Sequence, residues 1–280
     1  MSLDTTMLQE WVGRKHEVED IVTPRLLASF GATLGDYAAQ TAEGTAPPGL
    51  HWCLTPDIAD RCELGPDGHP AKGSFLPPVS LPRRMWASSD VRFMAPIRSG
   101  DRIRRRSTVS AIEEKQGRTG PLTFVTVRHD IANGAGPVIE EDQIIVYRGA
   151  EVAAARPASP ANSPLAGSHE RTIDIDPVLL FRYSALTFNG HRIHYDAPYA
   201  TGVEHYPGLV IHGPLQATLL MNFATAIVGT SPRRFSFRGV HPATGPQSLL
   251  LNAASPGKDG MALEARSADG HVTVKATAQW

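Results

Sequence analysis

Apolar and polar residues alternate with a period of two in two separate stretches of the chain. That is the pattern of strands with one buried and one wet face. The first stretch predicts strands over residues 91–94, 102–112, 122–131 and 143–148, the second over residues 234–237, 248–252, 262–266 and 272–279. Turn sequences such as Asn133-Gly134-Ala135-Gly136 and Ala268-Asp269-Gly270 separate them. A short helix signal precedes each set: TPRLLASFGATLGD at residues 23–36 and DPVLLFRYSALTFN at residues 176–189. Both open with an N-cap residue followed by proline at the first helical position. Aligned without gaps they share Pro, Leu, Leu and Ala, with Phe30 opposite Tyr183 and Gly31 opposite Ser184. A helix followed by successive antiparallel strands, twice over, predicts an α+β tandem repeat rather than alternating βαβ units.

The copies differ in their middles. After His212-Gly213-Pro214 the second continues LQATLLMNFATAIVG, with Leu215, Leu219, Leu220 and Phe223 at helical spacing and Gly229 as the stop. This predicts a long helix apolar on most sides, suited to the inside of a curved sheet. The first copy has GSFLPPVSLPRRMW at residues 73–86, and its three prolines forbid such a helix. Residues 151–168, rich in Ala, Pro and Ser, read as a linker between an N-terminal unit, 1–150, and a C-terminal unit, 169–280.

Composition narrows the function classes. The 280 residues, 41% hydrophobic and 20% charged, suffice for two ordinary domains. A net charge of −1 gives no electrostatic case for nucleic acid or an acidic membrane. The basic run at residues 102–106 reads as a solvated strand face. No apolar run reaches the roughly 18 residues of a membrane span and no signal-peptide core is evident, so a cytoplasmic protein is expected. Cys53 and Cys62, the two cysteines, lack zinc-site spacing with His51 and His69 and are expected to be free thiols.

Four of the eleven histidines, His191, His194, His205 and His212, fall in one short region. His191 and His194 are spaced HxxH, one residue short of the metalloprotease spacing and without its glutamate, so no metal is expected. His191 and His205 default to structural roles. His194, followed by a helix that opens His-Gly-Pro, suits acid–base chemistry near neutrality. The N–H groups of a helix N-terminus suit a developing oxyanion, and Gly213 lets that oxygen approach closely. In the repeat alignment Asp36 stands opposite Asn189 and Thr41 opposite His194, so one site per chain is expected.

The stretch YSALTFNGHRIHYD at residues 183–196, followed by GLVIHG at 208–213, resembles the MaoC-like, (R)-specific hydratase motif of hot-dog proteins. Within that group the chain is similar to the double-hot-dog branch. That branch includes mitochondrial 3-hydroxyacyl-thioester dehydratases and bacterial mesaconyl-C4-CoA (3-methylfumaryl-CoA) and itaconyl-CoA hydratases. The likeness extends over nearly the whole chain, including FMAPIRSGD at residues 93–101. It implies a tandem hot-dog, each half a curved antiparallel sheet, with the central helix kept in the C-terminal half and degenerate in the N-terminal half. It implies reversible addition of water to a 2-enoyl-CoA, without metal or organic cofactor, coenzyme A being part of the substrate. His194 takes the place of the family's catalytic histidine, and Gly213 that of the glycine whose N–H holds the thioester oxygen. Asn189 stands where the family usually has aspartate; it can position water but cannot serve as a base. A second acid–base group would then come from Tyr195, Asp196 or His191. Arg182 and Arg192 are candidates for a substrate carboxylate or CoA phosphates.

The expected substrate is a short branched dicarboxylic enoyl-CoA giving a citramalyl-CoA-type product. A 3-hydroxyacyl-ACP dehydratase of fatty-acid metabolism, an acyl-CoA thioesterase and a non-catalytic acyl-binding protein are the alternatives. A homodimer is a further possibility, since tandem hot-dog proteins often pair again.

Overall fold

The computed structural model describes residues 5–117, 120–150, 165 and 169–280; the expected linker, 151–168, lies outside them apart from Leu165. The first half carries helices α1 (Thr5–Gln9) and α2 (Pro24–Leu34). Its strands are β1 (Lys15–Ile21), β2 (Arg83–Phe93), β3 (Arg102–Gly117), β4 (Gly120–Asn133) and β5 (Gly136–Arg148). The second half carries helices α3 (Pro177–Leu186), α4 (Ala197–Gly202) and α5 (Gly213–Val228). Its strands are β6 (His169–Ile175), β7 (Leu209–Val210), β8 (Arg234–Gly239), β9 (Thr244–Gly245), β10 (Gln247–Ala253), β11 (Met261–Arg266) and β12 (Val272–Gln279). Among the described residues no helix is long and apolar enough to cross a membrane.

Ten of the strands form a single antiparallel sheet in the order β1-β3-β4-β5-β2-β8-β12-β11-β10-β6. Read from the centre outward the two halves match: β2 answers β8, β5 answers β12, and β1 answers β6 at the far edge. The halves meet where β2 pairs with β8, from Ser88 opposite Arg238 to Arg92 opposite Arg234. The expected repeat also holds at the helices. Thr23 accepts a hydrogen bond from the Leu26 N–H and Asp176 from the Leu179 N–H, each with proline in the first turn.

Two strands escape the apolar-alternation rule. β1 is mostly exposed and charged, and it is held by the basic run of β3: Glu17 lies opposite Arg106 and Glu19 opposite Arg104. The same Glu17 carboxylate accepts from Arg106 Nε at 3.1 Å. The run at 102–106 is therefore not simply solvated; its charges staple an edge strand. β6, the counterpart edge, is also rich in charge. Edge strands of this kind are recognised by their partners, not by an apolar stripe.

α5 is the centre of the larger core. Every side chain from Leu215 to Thr225 is buried, and Gly229 in a left-handed conformation ends the helix. Burial on all sides requires cover from both halves. The second half supplies Leu249, Leu251, Leu263 and Val274 from its sheet, and the first supplies Phe30, Leu50 and Leu54. Each large apolar side chain so buried contributes on the order of 1.5–3 kcal/mol. The polar residues of the helix are spent on the same junction: Asn222 accepts from the Ala39 N–H at 2.9 Å and donates to the Pro48 carbonyl at 2.8 Å. In the first half the place of a central helix is filled by irregular chain of turns and bends. Phe75, Leu76, Val79 and Leu81 of the proline-rich segment pack with Val109, Val125 and Ile145. No helix forms there, and a cavity remains between the halves.

A first-half loop at residues 65–70 closes that cavity against the segment that carries the candidate site. The approach is so close that a Cβ on Gly68, whose φ is +87°, would lie 2.0 Å from the Gly190 carbonyl oxygen. A Cβ on Gly190 would lie 2.6 Å from the oxygen of Gly68. Both glycines are required for the contact, which the Arg192 N–H completes by donating to the Asp67 carbonyl at 2.9 Å. Gly68→Ala and Gly190→Ala are each expected to cost about 1–3 kcal/mol, seen as a fall in Tm of at least about 2 °C. Melting temperatures within 1 °C of the parent for both variants would contradict this packing.

Candidate functional site

α3 delivers its chain directly into the site. After its last turn Phe188 adopts a left-handed φ of 51°, a conformation that costs an aromatic residue energy. The reversal is fixed by the Asn189 N–H donating to the Ser184 carbonyl at 2.8 Å, and by the Asn189 Oδ1 accepting from the His191 N–H at 3.0 Å. Since Oδ1 is used in this turn, the free end of Asn189 is its Nδ2, a donor. A short 3-10 turn, Arg192–His194, then places His194 under β7.

His194 is buried, and its Nδ1 lies 2.7 Å from the Val210 carbonyl oxygen. A carbonyl only accepts, so Nδ1 carries the proton and Nε2 keeps its lone pair. Burial, together with the neighbouring His212 and His191, holds the imidazole well below its ordinary 6.5. At neutral pH His194 is thus a neutral base in one tautomer. His212 stacks on it, ring centroids 3.6 Å apart, and contacts Ser184 Oγ through Nε2 at 2.8 Å. Burial pushes His212 down to about 3, with His191 adding to the effect, so this ring too is neutral. The Tyr183 ring stands edge-on to His212 and its hydroxyl meets Thr218 Oγ1 at 3.1 Å.

Two residues beyond Ile211 the chain enters α5. Gly213 is the first residue of that helix, where an N–H has no intrahelical acceptor and the helix dipole favours negative charge. Its Cα faces β2: a Cβ there would lie 3.9 Å from the Trp86 carbonyl oxygen. His194, Asn189, Gly213 and His191 all line one cavity of about 1010 Å³ between the halves. A neutral base, an amide donor and a helix N-terminus around one cavity can activate water and hold an oxyanion.

The remaining sequence-based candidates do not reach that cavity. Arg192 and Asp196, four residues apart, bind each other, with Nη2 to Oδ2 at 2.8 Å and Nε to Oδ2 at 2.9 Å. Asp196 also caps α4 by accepting from the Tyr199 N–H. Arg192 further donates to the Pro66 carbonyl at 3.1 Å and lies over the Tyr199 ring, so both residues are committed to local structure. Tyr195 is exposed and donates to the Gly190 carbonyl at 2.9 Å. Arg182 is exposed on α3. Cys53 is buried, its thiol pushed up to about 12 by burial, while Cys62 is exposed.

Sequence spacing could not anticipate what the first half brings. His69 comes within 4.1 Å of His191, centroid to centroid, and its Nδ1 is 3.0 Å from Asp67 Oδ2. Burial lowers His69 to about 4 against the pull of Asp67. Ligand atoms of Asp67, His69 and His191 lie within 4.8 Å of one another, a grouping that could hold a divalent ion. His191 also approaches Glu204, 3.7 Å from Nε2 to Oε1, and Glu204 stands 3.7 Å from Arg83 Nε. Burial opposes the Glu204 charge, but His191 and Arg83 hold its carboxyl below the ordinary range. Asp67, His69 and Arg83 stand more than a hundred positions from His191 and Glu204 in the chain, and no local sequence signal announces their meeting.

The family model for hydroxyacyl-thioester dehydratase type 2 matches residues 49–245. A mesaconyl-C(4)-CoA hydratase of Chloroflexus aurantiacus is 44% identical over 274 residues, 96% of either chain. Among solved structures, HtdX of Mycobacterium tuberculosis superposes with a TM-score of 0.68 at 19% identity, covering 95% of this chain and 99% of its own. A second Mycobacterium tuberculosis protein, described as a double hotdog fold, superposes with a TM-score of 0.59 at 12% identity, covering 96% of each chain. The fold is therefore the double hot-dog, and the chain belongs to the hydroxyacyl-thioester dehydratase family.

Proposed function

We propose that the protein reversibly hydrates a short, branched dicarboxylic 2-enoyl-CoA of the mesaconyl-C4-CoA type, giving a citramalyl-CoA-type product, with itaconyl-CoA as a related substrate. The observation that carries the reading is the Nδ1–H of His194 held on the Val210 carbonyl beside a helix N-terminus in the inter-half cavity. The 44% identity to a mesaconyl-C(4)-CoA hydratase supports the acyl class.

In this reading the thioester oxygen sits at the Gly213 N–H, which draws charge out of the conjugated double bond. Asn189 Nδ2 donates to a water oxygen. His194 Nε2 takes a proton from that water as its oxygen bonds to the β-carbon, and the electron pair moves to the thioester as an enolate. The imidazolium so formed is acidic, because its surroundings disfavour charge. It returns the proton to the α-carbon as the enolate collapses. Water is consumed, the proton count is unchanged, and one histidine serves both steps. No metal or organic cofactor enters, and coenzyme A is part of the substrate. His191 supports the arrangement by fixing Asn189 through its N–H and by lowering His194.

His194→Ala should lower kcat for mesaconyl-C4-CoA hydration by about 10³-fold or more, followed as loss of enoyl-thioester absorbance. Turnover within a few-fold of the parent would remove His194 from the role, and thiol release without hydration would make the protein a thioesterase. The pH dependence has a defined sign. A base whose protonation is disfavoured stays competent as pH falls, so the acid limb of kcat/KM should lie well below the ordinary imidazole value of 6.5. A limb centred near pH 6.5 would contradict the environment described for His194.

A further inference from the structure

We infer that Arg84 is the carboxylate-binding residue of the acyl pocket: its guanidinium takes the free carboxylate of a dicarboxylic acyl-CoA. The inference rests on the proposed function for its substrate class and adds the side chain that selects it.

The charges of the cavity wall point to this residue by elimination. Six Lys or Arg side chains line the cavity, Arg14, Lys15, Lys72, Arg83, Arg84 and Arg148, against three acids, Asp57, Glu63 and Glu204. Arg83 is answered by Glu204, through its carboxylate at 3.7 Å and its carbonyl at 2.9 Å. Lys72 donates to the Val79 and Leu81 carbonyls, each at 2.8 Å. Arg148 reaches the Tyr206 hydroxyl, Arg14 lies over the Trp11 ring, and Lys15 is exposed. Arg84 is half-buried and donates to the Pro70 carbonyl at 3.2 Å. Among the described residues it has no carboxylate within ion-pair distance. Asp67, hydrogen-bonded to His69 at 3.0 Å, feels the Arg84 charge but does not pair with it directly. A half-buried guanidinium with five N–H donors, met by one carbonyl and the Tyr147 hydroxyl and paired with no carboxylate among the described residues, has donors left for an anion.

Position identifies which anion. Arg84 and Trp86 lie two residues apart on β2 and both line the cavity. The Trp86 carbonyl stands against Gly213, so β2 crosses the helix N-terminus where the thioester oxygen would sit. A strand advances roughly 3.3 Å per residue, which places the Arg84 backbone about 7 Å along from that point. In a four-carbon acyl group the distal carboxylate carbon lies about 4 Å from the thioester carbon, given C–C bonds of about 1.5 Å. A carboxylate oxygen and a hydrogen bond of roughly 2.8 Å extend that reach toward the long, flexible Arg84 side chain, which lines the same cavity. The other end of Arg84 is fixed by Pro70, on the loop whose Gly68 packs against Gly190, next to Asn189. Arg84 is thus anchored on a strand that crosses the helix N-terminus and on a loop that packs beside the segment of the proposed water-positioning residue. The phosphates of coenzyme A are the other anions a cationic wall could meet, and the test separates the two.

Succinyl-CoA and butyryl-CoA have the same chain length, differ in the distal carboxylate, and cannot be hydrated. Their affinities for the intact protein, measured by calorimetry, should favour succinyl-CoA. Arg84→Met should reduce the ratio of the two affinities by about 30-fold or more, and Arg84→Lys should keep part of it. The Tm of each variant, read alongside, checks that the fold is retained. Equal weakening of both ligands by Arg84→Met, as expected of a CoA-phosphate contact or a folding defect, overturns the inference. So does an unchanged ratio, or a parent protein that binds both ligands alike. Each readout is a binding preference independent of turnover, so hydration of enoyl-CoAs can stand or fall separately.

Discussion

The backbone ladder between β2 and β8 is the constraint on which the rest of this molecule depends. It fuses two five-stranded units into one sheet and fixes their relative register from Ser88 to Arg92. Along the same strand run Arg84 and Trp86, and the Trp86 carbonyl stands against the first residue of α5. Slipping this pairing by one residue would turn every β2 side chain to the other face. The cavity wall and the cover over the helix N-terminus would be lost together. Arg234 and Asp90, paired across the seam with Nε to Oδ1 at 2.8 Å, add a charge contact that opposes such a slip.

That seam also explains why one half keeps the helix and the other does not. A central helix buried on all sides needs apolar cover from two directions, and α5 draws it from both halves. A second helix in the first half would occupy the space that is now cavity. Irregular chain at residues 73–82 covers the first-half sheet instead, and its prolines forbid the alternative. The site is thus a product of asymmetry. The second half provides His194, Asn189 and Gly213, while the first provides Arg84 and His69 and the loop that presses on Gly190.

Much of this was legible in the sequence, and the exceptions have physical causes. β10, β11, β12 and α5 announce themselves because each buries one face or every face. β1 and β6 do not, because edge strands held by Glu17, Arg104 and Arg106 carry charge where a pattern reader looks for apolar residues. His194 and Gly213 were visible as candidates because the roles proposed for them depend on local chain geometry, a short turn and a helix start. Arg192 and Asp196 misled for the opposite reason: polar residues near a motif attract functional readings, yet at i, i+4 spacing their cheapest partner is each other. Arg84 and His69 carry no local signal. They gain meaning only when the fold brings residues 67–84 against residues 189–213.

The central claim is that one neutral histidine, on one face of the double bond, moves the proton both ways. Its consequence is stereochemical. A single base that takes a proton from the attacking water and returns it to the α-carbon must deliver oxygen and hydrogen to the same face. Hydration of mesaconyl-C4-CoA in deuterium oxide, with the configuration at the deuterated α-carbon read by NMR, tests this directly. Syn addition is the predicted result; anti addition, which needs a second acid on the opposite face, would contradict it.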